Sequence, residues 1–283
     1  MKILFFGLGS AGQRHFRLMH EMGMDHEYYA FRKKESTSDI PEGVRPVFSL
    51  SPNCADVAFI CNWTNAHINT ALVCARRGMH LFIEKPLDVS LAELDQLKKE
   101  VASRGLTAYV AYPLRFNEEV NKKIVQTAPA VPDHQVRIVC RSYLPNWRSG
   151  RRTYSERKAT GGGALLELSH EIDLAQHLFG EIVGLEGELW RGGPSVTNDA
   201  EDEALLTATH YHKRKTSITL SINDQNGCRG VLIGPNDFIE YSASDDLYRR
   251  QLEYFFANIG NPRIMNNLDE AGKLLELILK VRE

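Results

Sequence analysis

The chain has 283 residues, enough for two domains at the usual size of about 150 residues each, with 25% charged residues and a net charge of -2. That balance leaves no basic field for nucleic acid and no acidic tail. Five cysteines without a Cys-x-x-Cys pair, three of them in apolar runs, fit reduced thiols, and no apolar run approaches membrane-spanning length, so a cytoplasmic protein with no membrane partner is expected.

Ile3 to Phe6 is a continuous apolar run that predicts a buried strand. It leads straight into Gly7-Leu8-Gly9-Ser10-Ala11-Gly12, after which Phe16, Leu18 and Met19 continue as a helix that fades near Gly23. Strand, Gly-x-Gly-x-x-Gly turn and helix in this order make a grip for a dinucleotide. Gly7 allows the tight turn, Gly9 lets the backbone approach a pyrophosphate, and Gly12 lets the helix pack close, while the helix amides face the phosphates. His26 to Arg32 then predicts a second strand and Asp56 to Cys61 a third. Ala66 to Arg77 predicts a helix, His80 to Ile83 a strand, Leu91 to Ser103 a helix and Thr107 to Ala111 a strand. The alternation predicts an α/β domain over residues 1–112 with a doubly wound parallel sheet.

From Gln135 the pattern changes. Gln135 to Arg141, Leu205 to Tyr211, Thr216 to Ile222 and Gly230 to Gly234 alternate polar and apolar residues. They predict an α+β domain over 113–283 with an open, mostly antiparallel sheet, one face exposed. Arg191 to Asn198 reads as a loop, and there is no internal repeat.

Glu84-Lys85-Pro86 follows the strand His80 to Ile83, at the carboxyl end of a sheet strand, where open α/β sheets hold ligands. Proline pushes Lys85 into an extended conformation. A lysine there can orient a substrate hydroxyl and assist its proton transfer; the plainer reading is a surface lysine. In Gly161 to Asp173, the residues Glu167, His170 and Asp173 recur at i, i+3 and i+6 along one side of a predicted helix, with His177 near the same stripe. Leu166, Leu174 and Leu178 share that arc while Leu168, Ile172, Ala175 and Phe179 face the other way. A helix apolar all round is buried, and ionisable groups on it are costly unless paired or facing a cleft. His210 and His212 lie two apart on a predicted strand, but no third ligand completes a set and no metal is expected.

With these motifs in order, the chain resembles the Gfo/Idh/MocA family of glucose-fructose oxidoreductases and inositol dehydrogenases. The pieces are the glycine turn, Asn62-Trp63-Thr64-Asn65-Ala66-His67 after the third strand, Glu84-Lys85-Pro86, Leu114-Arg115-Phe116-Asn117 and the Gly161-Gly162-Gly163 helix. The resemblance implies a Rossmann domain, a second domain with a large open sheet, and NAD or NADP as hydride carrier for a hydroxyl-bearing carbon of a sugar or cyclitol. It implies Lys85 and His170 as catalytic groups. It also implies cofactor contacts from the glycine turn, Asn62, Trp63, Thr64, His67, Glu84 and Lys85, and substrate contacts from Arg115 and Asp173. Two departures stand out. Glu167-x-x-His170 is one residue shorter than the usual Asp-x-x-x-His, so either Glu167 or Asp173 is the acid partner of His170, and Trp63 replaces a usual proline.

The stretch from Ser142 to Thr160 is similar to the branch of this family found with surface-polysaccharide and nonulosonic-acid genes. Its aromatic Tyr143, Trp147 and Tyr154 can stack on a ring, and Arg148, Arg151, Arg152, Arg157 and Lys158 can bind phosphate or carboxylate. An anionic, nucleotide-linked sugar is therefore expected over a free one. The acid that holds the ribose diol of NAD about 20 residues past the glycines is missing, and Arg32-Lys33-Lys34 stands in its place, which favours NADP, with NAD as the alternative. An NAD(P)-dependent oxidoreductase is the leading reading, acting on a sugar or nucleotide-sugar. Its alternatives are redox-assisted elimination or glycoside cleavage with retained cofactor, and a non-catalytic cofactor-binding regulator. A homodimer or homotetramer through the second domain's sheet is expected.

Overall fold

A computed structural model of the chain describes residues 1–33, 40–147, 155, 157–192 and 199–283. Among these the helices are α1 (Ser10–Glu21), α2 (His67–Ala75), α3 (Leu94–Ser103), α4 (Glu118–Thr127), α5 (Leu144–Trp147), α6 (Ala164–Glu167), α7 (Ser169–Phe179), α8 (Asp245–Ala257) and α9 (Leu268–Arg282). The strands of the first sheet are β1 (Lys2–Phe6), β2 (Glu27–Phe31), β3 (Val44–Val47), β4 (Val57–Ile60), β5 (His80–Glu84) and β6 (Ala108–Ala111). Those of the second are β7 (Val136–Tyr143), β8 (Ile182–Trp190), β9 (Glu203–His210), β10 (Lys215–Ser221), β11 (Asn223–Ile233) and β12 (Asp237–Glu240).

The chain divides into two compact units, Met1–Ala111 with Asp245–Lys273, and Tyr112–Ser244 with Leu274–Glu283. In the first, the strand order is β3-β2-β1-β4-β5-β6 and every pairing is parallel. This is the doubly wound arrangement whose carboxyl edge holds nucleotides. Its central strands are buried on both faces, which is why they read as unbroken apolar runs. β3 has no such run: with Pro46 inside it, the segment survives as a strand because it sits at the sheet edge, where a missing amide costs no ladder bond.

The first unit also contains a segment that the sequence placed in 113–283. α8 returns to it, and Phe255 packs edge-on against Phe82 with centroids 5.2 Å apart, over a Phe59–Phe82 stack at 4.5 Å. The reason is burial: that aromatic face of the parallel sheet needs a cover, and the chain supplies it from far downstream.

In the second unit the order is β12-β11-β7-β10-β9-β8. All neighbours are antiparallel except the parallel β7–β10 pair. Ala204, Leu206, Ala208, Ile218, Leu220 and Val231 lie buried on one face, on which α7 packs, while Arg137, Arg141 and Leu205 on the other are exposed. β8 escapes a reading by alternation because Gly184 and Gly187 interrupt it. A side chain at Gly187 would run into the backbone of Leu205 and Leu206 on the neighbouring strand.

Candidate active site

The candidate residues fall into two clusters, one in each unit. In the first unit, β1 ends at Phe6 and Gly7 turns the chain at φ +95°, where a Cβ would come within 2.5 Å of the Cys61 carbonyl oxygen. A Cβ on Gly12 would overlap the carbonyl oxygen of Gly7, so this glycine is required for α1 to start against the strand. Gly9 is different. It is exposed, its backbone suits any residue, and a Cβ there would meet nothing within 4 Å. The space that Gly9 leaves open is what a pyrophosphate needs. No side chain caps α1 and no acid occupies its first turn, so the amides that every helix leaves unbonded at its start suit an anion. Leu8 is buried and its carbonyl oxygen accepts from the Gln13 side-chain Nε2 at 3.0 Å, while Ser10 is exposed and Ala11 half-exposed. These residues fit a dinucleotide.

Arg32 and Lys33 directly follow β2, with the Arg32 amide donating to the Val47 carbonyl at 2.9 Å. Lys34 lies outside the described residues. After β4, Asn62 donates to Thr70 Oγ1 at 2.9 Å, Trp63 is 62% exposed, and Thr64 is buried at the start of a short 3-10 turn.

His67, expected as a cofactor contact, is buried and held by protein on both sides of its ring. Nδ1 lies 2.9 Å from the Pro86 carbonyl oxygen and Nε2 3.1 Å from that of Asn62. His67 therefore ties the turn after β4 to the turn after β5, because its ring is saturated by backbone oxygens. Asp88 adds a second tie that the sequence reading missed, accepting from the Ile68 amide at 2.9 Å and so capping α2 from another segment.

Glu84 ends β5, and its Oε1 accepts from His15 Nε2–H at 2.5 Å. Burial would raise the Glu84 carboxyl, but the hydrogen bond from His15 and the facing Lys85 and His67 groups outweigh it and hold the carboxyl below its ordinary range. Lys85 follows, half-buried, and is joined to Pro86 by a cis peptide bond.

In the second unit the predicted single helix is broken. α6 ends at Glu167, Leu168 leaves helical geometry at φ -105°, ψ 26°, and α7 begins at Ser169. The even stripe expected for Glu167, His170 and Asp173 is thus interrupted, although all three are buried, as the apolar surroundings predicted. His177 at the far end of α7 is exposed. Arg115 and Asp173 form a buried two-point ion pair, Nε to Oδ2 at 2.9 Å and Nη2 to Oδ1 at 2.7 Å. The planar guanidinium engages both carboxylate oxygens. This geometry favours a positioning role for the pair over the substrate contacts expected of each. The Tyr112 and His170 rings meet edge to face at 5.8 Å and 87°.

The glycine turn before α6 is held by residues that sequence reading missed. Glu201 accepts from the Leu165 amide at 3.2 Å and from Arg282 Nε at 3.0 Å, and Arg282 also donates to the Gly162 carbonyl. Lys158, expected to bind an anion, donates instead to the Arg282 carbonyl at 2.8 Å. Tyr143 is half-buried at the end of β7 opposite Asn223. The Trp147 side chain, Arg148, Arg151, Arg152 and Tyr154 lie outside the described residues. His210 and His212 do not share a strand face: β9 stops at His210, which is buried with Nδ1 2.8 Å from the Gly180 carbonyl, and His212 is exposed in the turn beyond.

With this geometry in place, comparison with known proteins places the chain in a class. Residues 1–112 match a profile described as an oxidoreductase family, NAD-binding Rossmann fold, and residues 134–238 match the GFO/IDH/MocA C-terminal domain. The chain belongs to the Gfo/Idh/MocA oxidoreductase family. Myo-inositol 2-dehydrogenase of Thermotoga maritima is 28% identical over 135 residues, covering 47% of this chain and 38% of that protein. The uncharacterized oxidoreductase YrbE of Bacillus subtilis is 28% identical over 222 residues, 71% of this chain and 62% of that one. 2,7-anhydro-N-acetylneuraminate hydratase of Escherichia coli is 24% identical over 174 residues, 59% and 45% respectively. The chain thus matches less than two thirds of the length of these relatives. Among solved structures, the WlbA dehydrogenase of Bordetella pertussis in complex with NADH and UDP-GlcNAcA superposes at a TM-score of 0.75 with 18% identity, covering 100% of this chain and 95% of that one. No helix among the described residues is long and apolar enough to cross a membrane.

Proposed function

We propose that this protein is an NAD(P)-dependent oxidoreductase that moves hydride between nicotinamide and a hydroxyl-bearing carbon of a sugar or nucleotide-linked sugar. The observation that carries the reading is the placement of Glu84-Lys85 at the end of β5, on the same carboxyl edge of a parallel sheet as the open glycine turn after β1. The cofactor, when bound, supplies the hydride acceptor or donor. Gly7 to Gly12 and the first amides of α1 would hold the pyrophosphate, and Arg32 and Lys33 would meet a 2′-phosphate, which favours NADP. Lys85 and His170 would orient the substrate hydroxyl and take its proton. Of the two acids offered as the partner of His170, Glu167 is the one we favour, because Asp173 is engaged by Arg115. A nucleotide-linked sugar is supported by the basic stretch around Arg148 and by the nucleotide-sugar complex of the WlbA relative. Self-association through the exposed face of the second sheet completes the reading.

A second reading, transient oxidation followed by elimination or addition of water with the cofactor retained, is favoured by the hydratase relative. One experiment separates the two. Free and nucleotide-linked sugars are screened with oxidised and reduced cofactors, following both absorbance and deuterium transfer from labelled cofactor. Net cofactor turnover supports the first reading. Product formation without net turnover supports the second. Cofactor binding without transfer to any sugar overturns both and leaves a cofactor-binding regulator.

A further inference from the structure

Among the described residues, His15 is fully buried in the first unit and has no role in the reading above. It lies on α1, three residues after Gly12, walled by the Phe82 ring at 4.9 Å, the Phe59 ring at 5.7 Å and the Tyr248 ring at 6.0 Å. Its Nδ1 meets no acceptor among the described residues, so the ring's one polar contact there is Nε2–H to Glu84 Oε1 at 2.5 Å. The other carboxylate oxygen, Oε2, accepts from the backbone amide of Lys85 at 3.3 Å. A polar ring in an aromatic cage is costly unless its contact is needed, and this contact runs from the helix that carries the glycine turn to the main chain of the proposed catalytic lysine.

We propose that His15 and Glu84 are positioning residues that fix Lys85 in the frame of the glycine-turn helix and keep a carboxylate beside it. The inference rests on the proposed role of Lys85. Two oxygens of one carboxylate serve two elements: Oε1 reads α1, and Oε2 orients the turn after β5. The groups that face Glu84 are His15 from α1, Lys85 beside it, His67 from α2 and Cys61 after β4. Cys61, whose thiol burial and the Glu84 charge push up, stays protonated and adds no competing charge. A displacement of α1 on gripping a dinucleotide would therefore reach Lys85 through the Glu84 carboxylate.

The test reads Lys85 directly. Lysines are dimethylated with ¹³C-formaldehyde, the Lys85 signal is assigned by its loss in Lys85→Arg, and its pH titration is followed by NMR with and without NADPH. The wild type is expected to show a Lys85 signal that responds to NADPH. Glu84→Gln should lower the Lys85 titration midpoint by about one pH unit, the scale of losing one nearby opposite charge. His15→Phe fills the cage without a donor and should abolish the NADPH response, while His15→Gln, which keeps a donor near the Nε2 position, should restore part of it. If folded Glu84→Gln and His15→Phe proteins keep the wild-type midpoint and NADPH response, the proposal is overturned. NADPH affinity, measured on the same samples by fluorescence, is independent. A wild type that binds no dinucleotide defeats the functional reading, whereas the cofactor-free midpoint of Glu84→Gln still decides whether its carboxylate acts on Lys85.

Discussion

Two alanine substitutions three residues apart should separate packing from ligand binding in the glycine turn. Gly12→Ala places a Cβ on the Gly7 carbonyl oxygen and within 3.2 Å of its carbon. A backbone atom cannot swing aside as a side chain can, so the start of α1 must move. Overpacking of this kind costs about 1–3 kcal/mol, which at roughly 2–4 °C per kcal/mol for a chain of this class lowers the melting temperature by about 2–12 °C. Gly9→Ala meets no protein atom within 4 Å and has an ordinary backbone, φ -74°. Its fold cost is that of a poorer helix cap, up to about 1 kcal/mol. Its Cβ instead enters the space read as the pyrophosphate site. Loss of one or two hydrogen bonds to a charged group, at about 1.5–3 kcal/mol each, weakens NADPH binding about ten- to a hundredfold or more. Differential scanning fluorimetry and titration of nicotinamide fluorescence measure the two effects on the same samples. A Gly9→Ala protein that binds NADPH as tightly as wild type would refute the site, and an unchanged melting temperature in Gly12→Ala would refute the packing argument.

Lys85→Ala should lose about 10²- to 10⁴-fold in turnover, the usual reach of one general acid-base group, while NADPH fluorescence titration gives a near-normal affinity. Arg32→Ala should weaken NADPH more than NADH in the same titration; equal losses would remove the 2′-phosphate role. Asp173→Asn removes the carboxylate charge that faces the buried Arg115 guanidinium, at a cost of about 3–5 kcal/mol, and thermal unfolding should show it as a fall of roughly 6–20 °C. His210 supplies a pH dependence. Burial lowers its pKa, opposed by the Gly180 hydrogen bond, so between the folded value and the ordinary one near 6.5 the unfolded chain binds the extra proton and stability drops as pH falls. Urea unfolding at pH 7.5 and 5.5 should show a smaller drop in His210→Gln than in wild type.

What the sequence disclosed follows from how far each signal reaches along the chain. β1, β4 and β5 are buried on both faces, so a few adjacent residues announce them, and the glycine turn and Glu84-Lys85-Pro86 are contiguous. β8 was hidden because its two glycines and three glutamates, counting Glu181 just before it, carry no alternation that a reader can trust. The stripe of Glu167, His170 and Asp173 assumed one continuous helix, and nothing local forecasts the break at Leu168. Long-range partners were invisible for a simpler reason. His15 meets Glu84 across 69 positions, Arg115 meets Asp173 across 58 and Arg282 meets Glu201 across 81, and one sequence has no periodicity at such distances.

The return of α8 to the parallel sheet has a consequence for how the protein is made. When residue 111 leaves the ribosome every strand of the nucleotide sheet has been synthesised, yet the ring that caps the Phe59–Phe82 stack, Phe255, has not. At about 5–20 residues per second, the sheet waits roughly seven to thirty seconds for its lid. During that interval an aromatic surface stands open to the cell, while the whole of the second sheet, which ends at Glu240, emerges ahead of α8. The unit encoded first is therefore finished last, and an isolated fragment ending at residue 112 should expose that surface and aggregate where the full chain does not.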